Sequence, residues 1–350
     1  MKQPAAGGEA ARPDTVALAR LARGLTQNEL SARTGISQAH LSKVEKGAVD
    51  LSGHRLIAVA QALSFPPSLL TLPQHVSATT TACVFPRKRN SLPVSAERRV
   101  RAILDVTRLQ VTALMAELLP PVELGREAPS VDGWVGPEDL AIETRQRLGF
   151  DSGPLPDLTA ALEAAGVMVV AQDLGTRRLD AVGQWPVGER PLFLVNKTAP
   201  GDRQRFTLAH EVGHAVMHTE PTADQEPQAD RFASELLMPA ADIRSELVDP
   251  TMGRLVQLKK RWRVSIAALI RRARDVGAIN DYRYKQLNIE LSAAGYRTRE
   301  PASFEPERPA RLYASLASRV EAEGGPSRLA AEAHMIESEF VSLYLEGQQG

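Results

Sequence analysis

The sequence predicts a mainly α protein with a small β-sheet, an α+β fold, and three observations carry that expectation. Apolar residues recur at helical spacing over most of the chain, as in Leu56-Ile-Ala-Val-Ala-Gln-Ala-Leu63. Strand-like runs are few and short: 167–171, 179–185 and 191–196. The composition, 43% hydrophobic and 24% charged over 350 residues, is that of an ordinary soluble protein of two or three domains. The expected division is a disordered tail (1–13), an all-α domain (14–72), a linker (73–95), a long helix and loop (96–136), an α+β domain (137–250), a basic helical subdomain (251–300) and a C-terminal helical region (301–350).

In the first domain, Val16-Ala-Leu-Ala-Arg-Leu21 opens a helix. Thr26 and Glu29 have the spacing of a capping box, in which side chain and backbone satisfy each other's free amides. The helix they start ends at Gly35; Ser37 caps the next, Gln38 to Lys46, and Gly47 ends it. Two short helices about a glycine turn form a helix-turn-helix, whose second helix enters a major groove. The run Thr26-Gln-x-Glu-Leu-x-x-x-x-Gly-x-Ser-x-x-x-Leu-Ser-x-x-Glu-x-Gly47 resembles the Cro/cI repressor (XRE) family over about residues 14–72. The resemblance implies that Gln38, Ala39, His40 and Lys43 face base edges of double-stranded operator DNA, while Gln27 and Lys46 meet phosphates. Glutamine can pair with adenine and lysine with guanine. Glu45 reads as structural, and a homodimer on a palindrome is expected because one such domain binds weakly.

Residues 73–95 hold Pro73, Pro86 and Pro93 and read as a linker, with Arg87-Lys88-Arg89 either solvated or gripping a phosphate. Residues 96–118 read as one amphipathic helix, for which dimerisation and packing on the second domain both stand open. A single cysteine, Cys83, excludes an internal disulfide framework and a cysteine-based zinc finger. No apolar run approaches the roughly 18 residues of a membrane helix, and the N-terminus lacks a signal-peptide core, so a cytoplasmic protein without membrane partners is expected. Net charge is zero but uneven. Residues 217–250 hold eight acidic and two basic side chains, and residues 251–285 hold ten basic and two acidic, an asymmetry that suggests two different partners.

The chemistry concentrates at His210-Glu-Val-Gly-His214, inside a helical apolar stripe of Phe206, Leu208, Ala209, Val212, Ala215 and Val216. Histidines at i and i+4 share a helix face and can reach one metal ion. Glu211 is placed to take a proton from a water held there, the signature of a zinc hydrolase. Met217 and Glu220 stand where a metzincin needs glycine and a third histidine, so the third ligand is expected from a later helix. Glu226 begins the inward face of that helix, which runs to Met238-Pro239, and Asp230, one turn on, can orient a ligand histidine. Glu220, Asp224 and Glu235 are the rival carboxylates. His218 lies too far along the helix to share a metal with His210 and reads as closing the helix C-terminus. A small sheet beside such a helix offers an edge to an extended peptide, and Pro186 and Pro191, flanking the last strand (191–196), suggest that it is that edge.

The stretch 137–300 resembles the ImmA/IrrE family of metallo-endopeptidases. The residues that carry the resemblance are Arg205 to His214, Glu226-x-x-Ala-Asp-x-Phe-Ala-x-x-Leu-Leu-Met-Pro239 and Leu258-Lys-x-Arg-Trp-x-Val-Ser-x-x-Ala-Leu-Ile270. It implies a zincin-like fold, with His210, His214 and Glu226 as zinc ligands, Glu211 as catalytic base and a helix-turn-helix repressor as protein substrate. Pro227 departs from the family's pattern and leaves the start of its helix open. Residues 253–277 look like a second helix-turn-helix, which could touch DNA, dock a substrate, or pack with a basic outer face. Tyr282, Tyr284 and nearby arginines are unranked candidates for oxyanion support. The expected function is a DNA-binding regulator with a zinc-dependent endopeptidase domain. Its alternatives are a regulator whose peptidase-like domain senses a metal, ligand or protein without cutting, and an antitoxin-like interaction protein.

Overall fold

Local signals set the first domain. The computed structural model describes residues 10–72, 92–115, 119–130 and 134–346; the start of the tail, Cys83 and Arg87-Lys88-Arg89 lie outside them. Five helices, α1 (Pro13–Ala22), α2 (Gln27–Thr34), α3 (Gln38–Glu45), α4 (Gly53–Ala62) and α5 (Pro67–Leu70), enclose Val16, Leu30, Leu41, Leu51 and Leu63. The Thr26 backbone N–H donates to Glu29 Oε2 (2.7 Å) and the Glu29 N–H to Thr26 Oγ1 (3.2 Å), a capping box worth about 1 kcal/mol. Gly35 sits at φ 70°, the left-handed turn that lets α2 and α3 meet.

Helix α6 (Val94–Met115) begins two residues before the sequence places it, because the Pro93 carbonyl accepts from Ala96 and Glu97 and closes the first turn there. Its two faces have different partners. Ala102 and Val106 complete the core of the first domain, whereas Val100, Leu104, Val111 and Leu114 pack on the sheet. The apolar faces are therefore spent inside the chain, and α6 is a strut shared by two cores.

The sheet has three strands, β1 (Met168–Gln172), β2 (Ala181–Gln184) and β3 (Leu192–Asn196), in the order β1-β3-β2. β3 pairs in parallel with β1 (Met168 opposite Leu192) and antiparallel with β2 (Gly183 opposite Phe193). The expectation that the last strand is an edge is thus corrected: β3 is central and β2 lies at the edge. Pro191 stands just outside β3 and removes no amide from its ladder. Alternate residues serve opposite cores. Val169, Ala181, Phe193 and Val195 join one, and Met168, Val170, Val182, Leu192 and Leu194 the other.

The first of these cores is covered by α7 (Pro137–Arg147), α8 (Leu158–Ala164), α9 (Gly201–Met217), α10 (Gln225–Leu237), α11 (Ala240–Ile243), α12 (Met252–Trp262), α13 (Ile266–Asp275) and α14 (Asp281–Ala293). The second is covered by α6, α15 (Arg311–Ala322), α16 (Ser327–Glu332) and α17 (Glu337–Tyr344). No helix of the described residues is long and apolar enough to cross a membrane.

Carboxylates lock the C-terminal region in place. Glu307 pairs with Arg205, both buried, and accepts from the Leu158 (2.9 Å) and Thr159 (3.1 Å) N–H groups that open α8. Glu163, near the end of α8, accepts from Ala310, Arg311 and Leu312 at the start of α15. Glu300 bonds Lys259 (2.6 Å) and the Ile266 N–H (2.9 Å). Part of the charge asymmetry is answered by ion pairs within the chain. Arg272 pairs with Glu235, Arg254 and Arg261 with Glu246, Arg283 with Asp249, and Lys259 with Asp202 and Glu300. The pair α12–α13 turns at Arg263 (φ 52°) and buries Leu255, Leu258, Trp262, Ile266, Leu269 and Ile270, so it packs as part of the core.

Candidate functional site

The centre of α9 is sealed: His210 is 1% exposed, Glu211 3% and His214 0%. Gly213 shows why. A Cβ there would stand 2.9 Å from the Phe232 ring of α10, so only glycine lets the two helices come this close. That approach brings Glu226 over the two histidines. α10 starts at Gln225, which puts Glu226 and Pro227 in its first turn, where a missing proline N–H costs nothing. His210 Nε2 and His214 Nε2 are 3.0 Å apart, and Glu226 carboxylate oxygens lie 3.7 and 3.4 Å from them. One ligand atom from each residue falls within 4.8 Å of the others.

The far ring nitrogens are engaged as well. His210 Nδ1 is 3.0 Å from Asp230 Oδ1. His214 Nδ1 is 3.0 Å from His218 Nδ1, and His218 Nε2 is 2.8 Å from Gln228 Oε1. An amide oxygen only accepts, so His218 Nε2 carries a hydrogen and its Nδ1 accepts from His214 Nδ1–H. With a hydrogen on each Nδ1, both ligand candidates present Nε2 to a common point, the arrangement seen around protein-bound zinc. The donor set fits that metal. His218 is the residue that sequence reasoning left out: it caps α9, and it also continues the i, i+4 series from His214, the signal that could have assigned it.

Electrostatics without a metal follow from the same contacts. Burial disfavours a charge on His210, but the Asp230 and Glu226 carboxylates outweigh it and raise its pKa to about 9. His214 goes the other way, lowered to about 4 by burial and by the neighbouring His210. Burial works to raise Glu226, yet the two histidines hold it at about 2. Glu211 Oε2 accepts from the Gly183 N–H (3.3 Å) on the side of β2 away from β3. Gly183 has no room for a side chain, since a Cβ would lie 2.2 Å from the Phe193 ring. The Trp185 carbonyl beyond it accepts from Arg126.

Of the rival carboxylates, Glu235 is bound to Arg272 and the Ala240 N–H, while Glu220 and Asp224 are exposed. Tyr282 is 70% exposed, and Tyr284 lies beside Arg274, which places both with α13 and α14.

In the first domain, Gln38, Ala39, Lys43 and Lys46 are exposed along α3, and His40 is half-buried beside Arg55. Gln27 is engaged within the domain. Its Nε2 donates to Glu45 Oε2 (2.8 Å) and its Oε1 accepts from Gln38 Nε2 (2.7 Å), while Arg20 pairs with Glu45 (2.6 Å). Gln27 thus holds Gln38 in one orientation and leaves the Gln38 oxygen and its second N–H to a base edge.

Two family models match. Residues 16–70 match a helix-turn-helix model, and residues 162–274 match a peptidase-family model described as an IrrE N-terminal-like domain. The chain is a fusion of these two domains. No curated protein matches it.

Proposed function

We propose that this chain is a cytoplasmic, homodimeric transcriptional regulator whose IrrE-like domain is a zinc-dependent endopeptidase acting on a repressor or other regulatory protein. The observation that carries the reading is the convergence of His210, His214 and Glu226, with Glu211 beside them, in one molecule with a helix-turn-helix domain. His210, His214 and Glu226 would hold the metal, Asp230 and His218 fixing the two rings. Bound zinc supplies an acidified water and a polarised carbonyl. Glu211 takes the proton of the attacking water and passes it to the leaving amide nitrogen. Gln38, Ala39, His40 and Lys43 read bases, and Lys46 meets a phosphate.

One observation favours a second reading, a sensor that cuts nothing. The outer edge of β2 is occupied by the chain itself, at Gly183 by Glu211 and at Trp185 by Arg126. The two readings separate in one experiment. Wild type should hold about one zinc per chain, and Glu211→Gln should keep the metal while cleavage falls at least about 100-fold. The readout is mass spectrometry of cells that co-express neighbouring repressors. Equal fragment patterns from both proteins, with promoter binding altered by metal, would establish the sensor instead.

A further inference from the structure

The base-reading face of the first domain does not end at that domain. Helix α6 is fastened to the turn between α1 and α2. The Arg99 side chain lies over Gly24, where a Cβ would come within 3.1 Å of it, and Arg99 Nε bonds the Ala22 carbonyl at 3.4 Å. Gly24 has φ 69°, so both the turn and the close approach call for glycine. With Arg99 held inward, Arg98 and Ser95, one turn apart, face outward and are exposed.

Those two side chains border an open cavity of about 400 Å³ whose walls include Gly24, Thr26, Gln27 and Gln38. The charges around it are unequal in freedom. Arg20, also on the wall, is neutralised by Glu45, and the Glu29 carboxylate is held by the Thr26 N–H. Arg98 has no carboxylate partner among the described residues. It is the free cation of a concavity that also holds the Gln38 amide.

We infer that Arg98, with Ser95, forms a phosphate-binding arm of the DNA interface, placed by α6 beside the base-reading helix α3. The ligand is the backbone of duplex DNA at the flank of the base pair that Gln38 reads, and the inference rests on the DNA-binding reading above. A free anion would meet Arg98 alone, whereas a duplex reaching Gln38 carries its backbone across the cavity mouth. Phosphate contacts add affinity and register without sequence preference. Because α6 also packs on the sheet, the arm connects the DNA contact to the body of the molecule.

The test is duplex binding by the full chain between 50 and 200 mM KCl, using a duplex enriched from a random pool on the wild-type protein. Arg98→Gln should weaken matched and mismatched duplexes alike and reduce the slope of log K against log [KCl] by about 0.9, the share of one phosphate. Arg98→Lys should restore the slope, and Gln38→Ala should lose base preference with the slope unchanged. An unchanged slope in Arg98→Gln, with base preference still lost in Gln38→Ala, overturns the arm and leaves the DNA-binding reading in place. If Gln38→Ala and Lys43→Ala both leave binding intact, the DNA reading itself falls. Arg98 is exposed and unpaired, so circular dichroism should show the variant folded.

Discussion

Helices α9 and α3 each carry the chemistry of their region, and they are built in opposite ways. From Thr207 to Met217 every residue of α9 is buried; Asp230 of α10 orients His210, and the Gly183 N–H of β2 holds Glu211. α3 buries only Leu41 and Val44 and leaves Gln38, Ala39 and Lys43 in solvent. The difference follows from the task. A metal centre needs ligand lone pairs held in fixed directions, whereas a groove reader needs side chains that reach outward. Yet α3 is not wholly loose, since the Arg20–Glu45–Gln27–Gln38 chain orients its first reading residue.

The contrast can be strained experimentally, the sealed region first. Glu307→Ala leaves Arg205 buried without its partner and frees two N–H groups of α8. The full chain should lose about 3–5 kcal/mol in urea unfolding, while Glu307→Gln, which still accepts from those amides, should lose less. A loss below about 1 kcal/mol would show that the region is less dependent on burial than its geometry indicates.

His218→Leu should weaken zinc about 10–100-fold in competition with a chelator, because His214 loses the acceptor that turns it. Unchanged affinity would reduce His218 to a helix cap.

The strut between the regions gives a pH effect. Burial raises Asp105 of α6 to about 6 from 3.8, against the pull of Arg108 and Arg101. Between those values the folded state holds more protons than the unfolded, so Asp105's contribution to stability falls as pH rises from about 4 to 6 and stays low above that. Asp105→Asn should therefore gain about 1–2 kcal/mol at pH 7.5 and little at pH 4, read by urea titration at both. An equal gain at both pH values would remove the titration from the explanation.

The smallest effect is expected on the open side. Gln27→Ala should blunt the base preference set by Gln38 by about 0.5–1 kcal/mol with no change in overall fold. A uniform loss across all duplexes would mean that Gln27 grips a phosphate after all.

What the sequence revealed divides along the range of the interactions. Thr26, Glu29, Gly35 and Ser37 announce α2 and α3 because their contacts close within four residues. His210 and His214 are legible through helical period, whereas Phe232, the neighbour that Gly213 admits, is not. The start of α10 was blurred by Pro227, which suits any position in a first turn. What stayed hidden was nonlocal. Nothing near Glu307 signals that its partner is Arg205, 102 residues away, or that Arg272 answers Glu235. For the same reason the charge asymmetry does not show which of its side chains pair within the chain. Strand order was lost for a related reason, since flanking prolines mark a boundary and not an edge.

The mutual capping of α8 and α15 has a consequence for how the molecule is made. Glu163 and the Leu312 N–H it receives are 149 residues apart. At about 5–20 residues per second, a ribosome takes roughly 7–30 s to travel between them. Within that interval the histidine pair is synthesised well before the groups that tie α8 to the C-terminal region. The nascent chain therefore carries its reactive trio before the scaffold around it is closed.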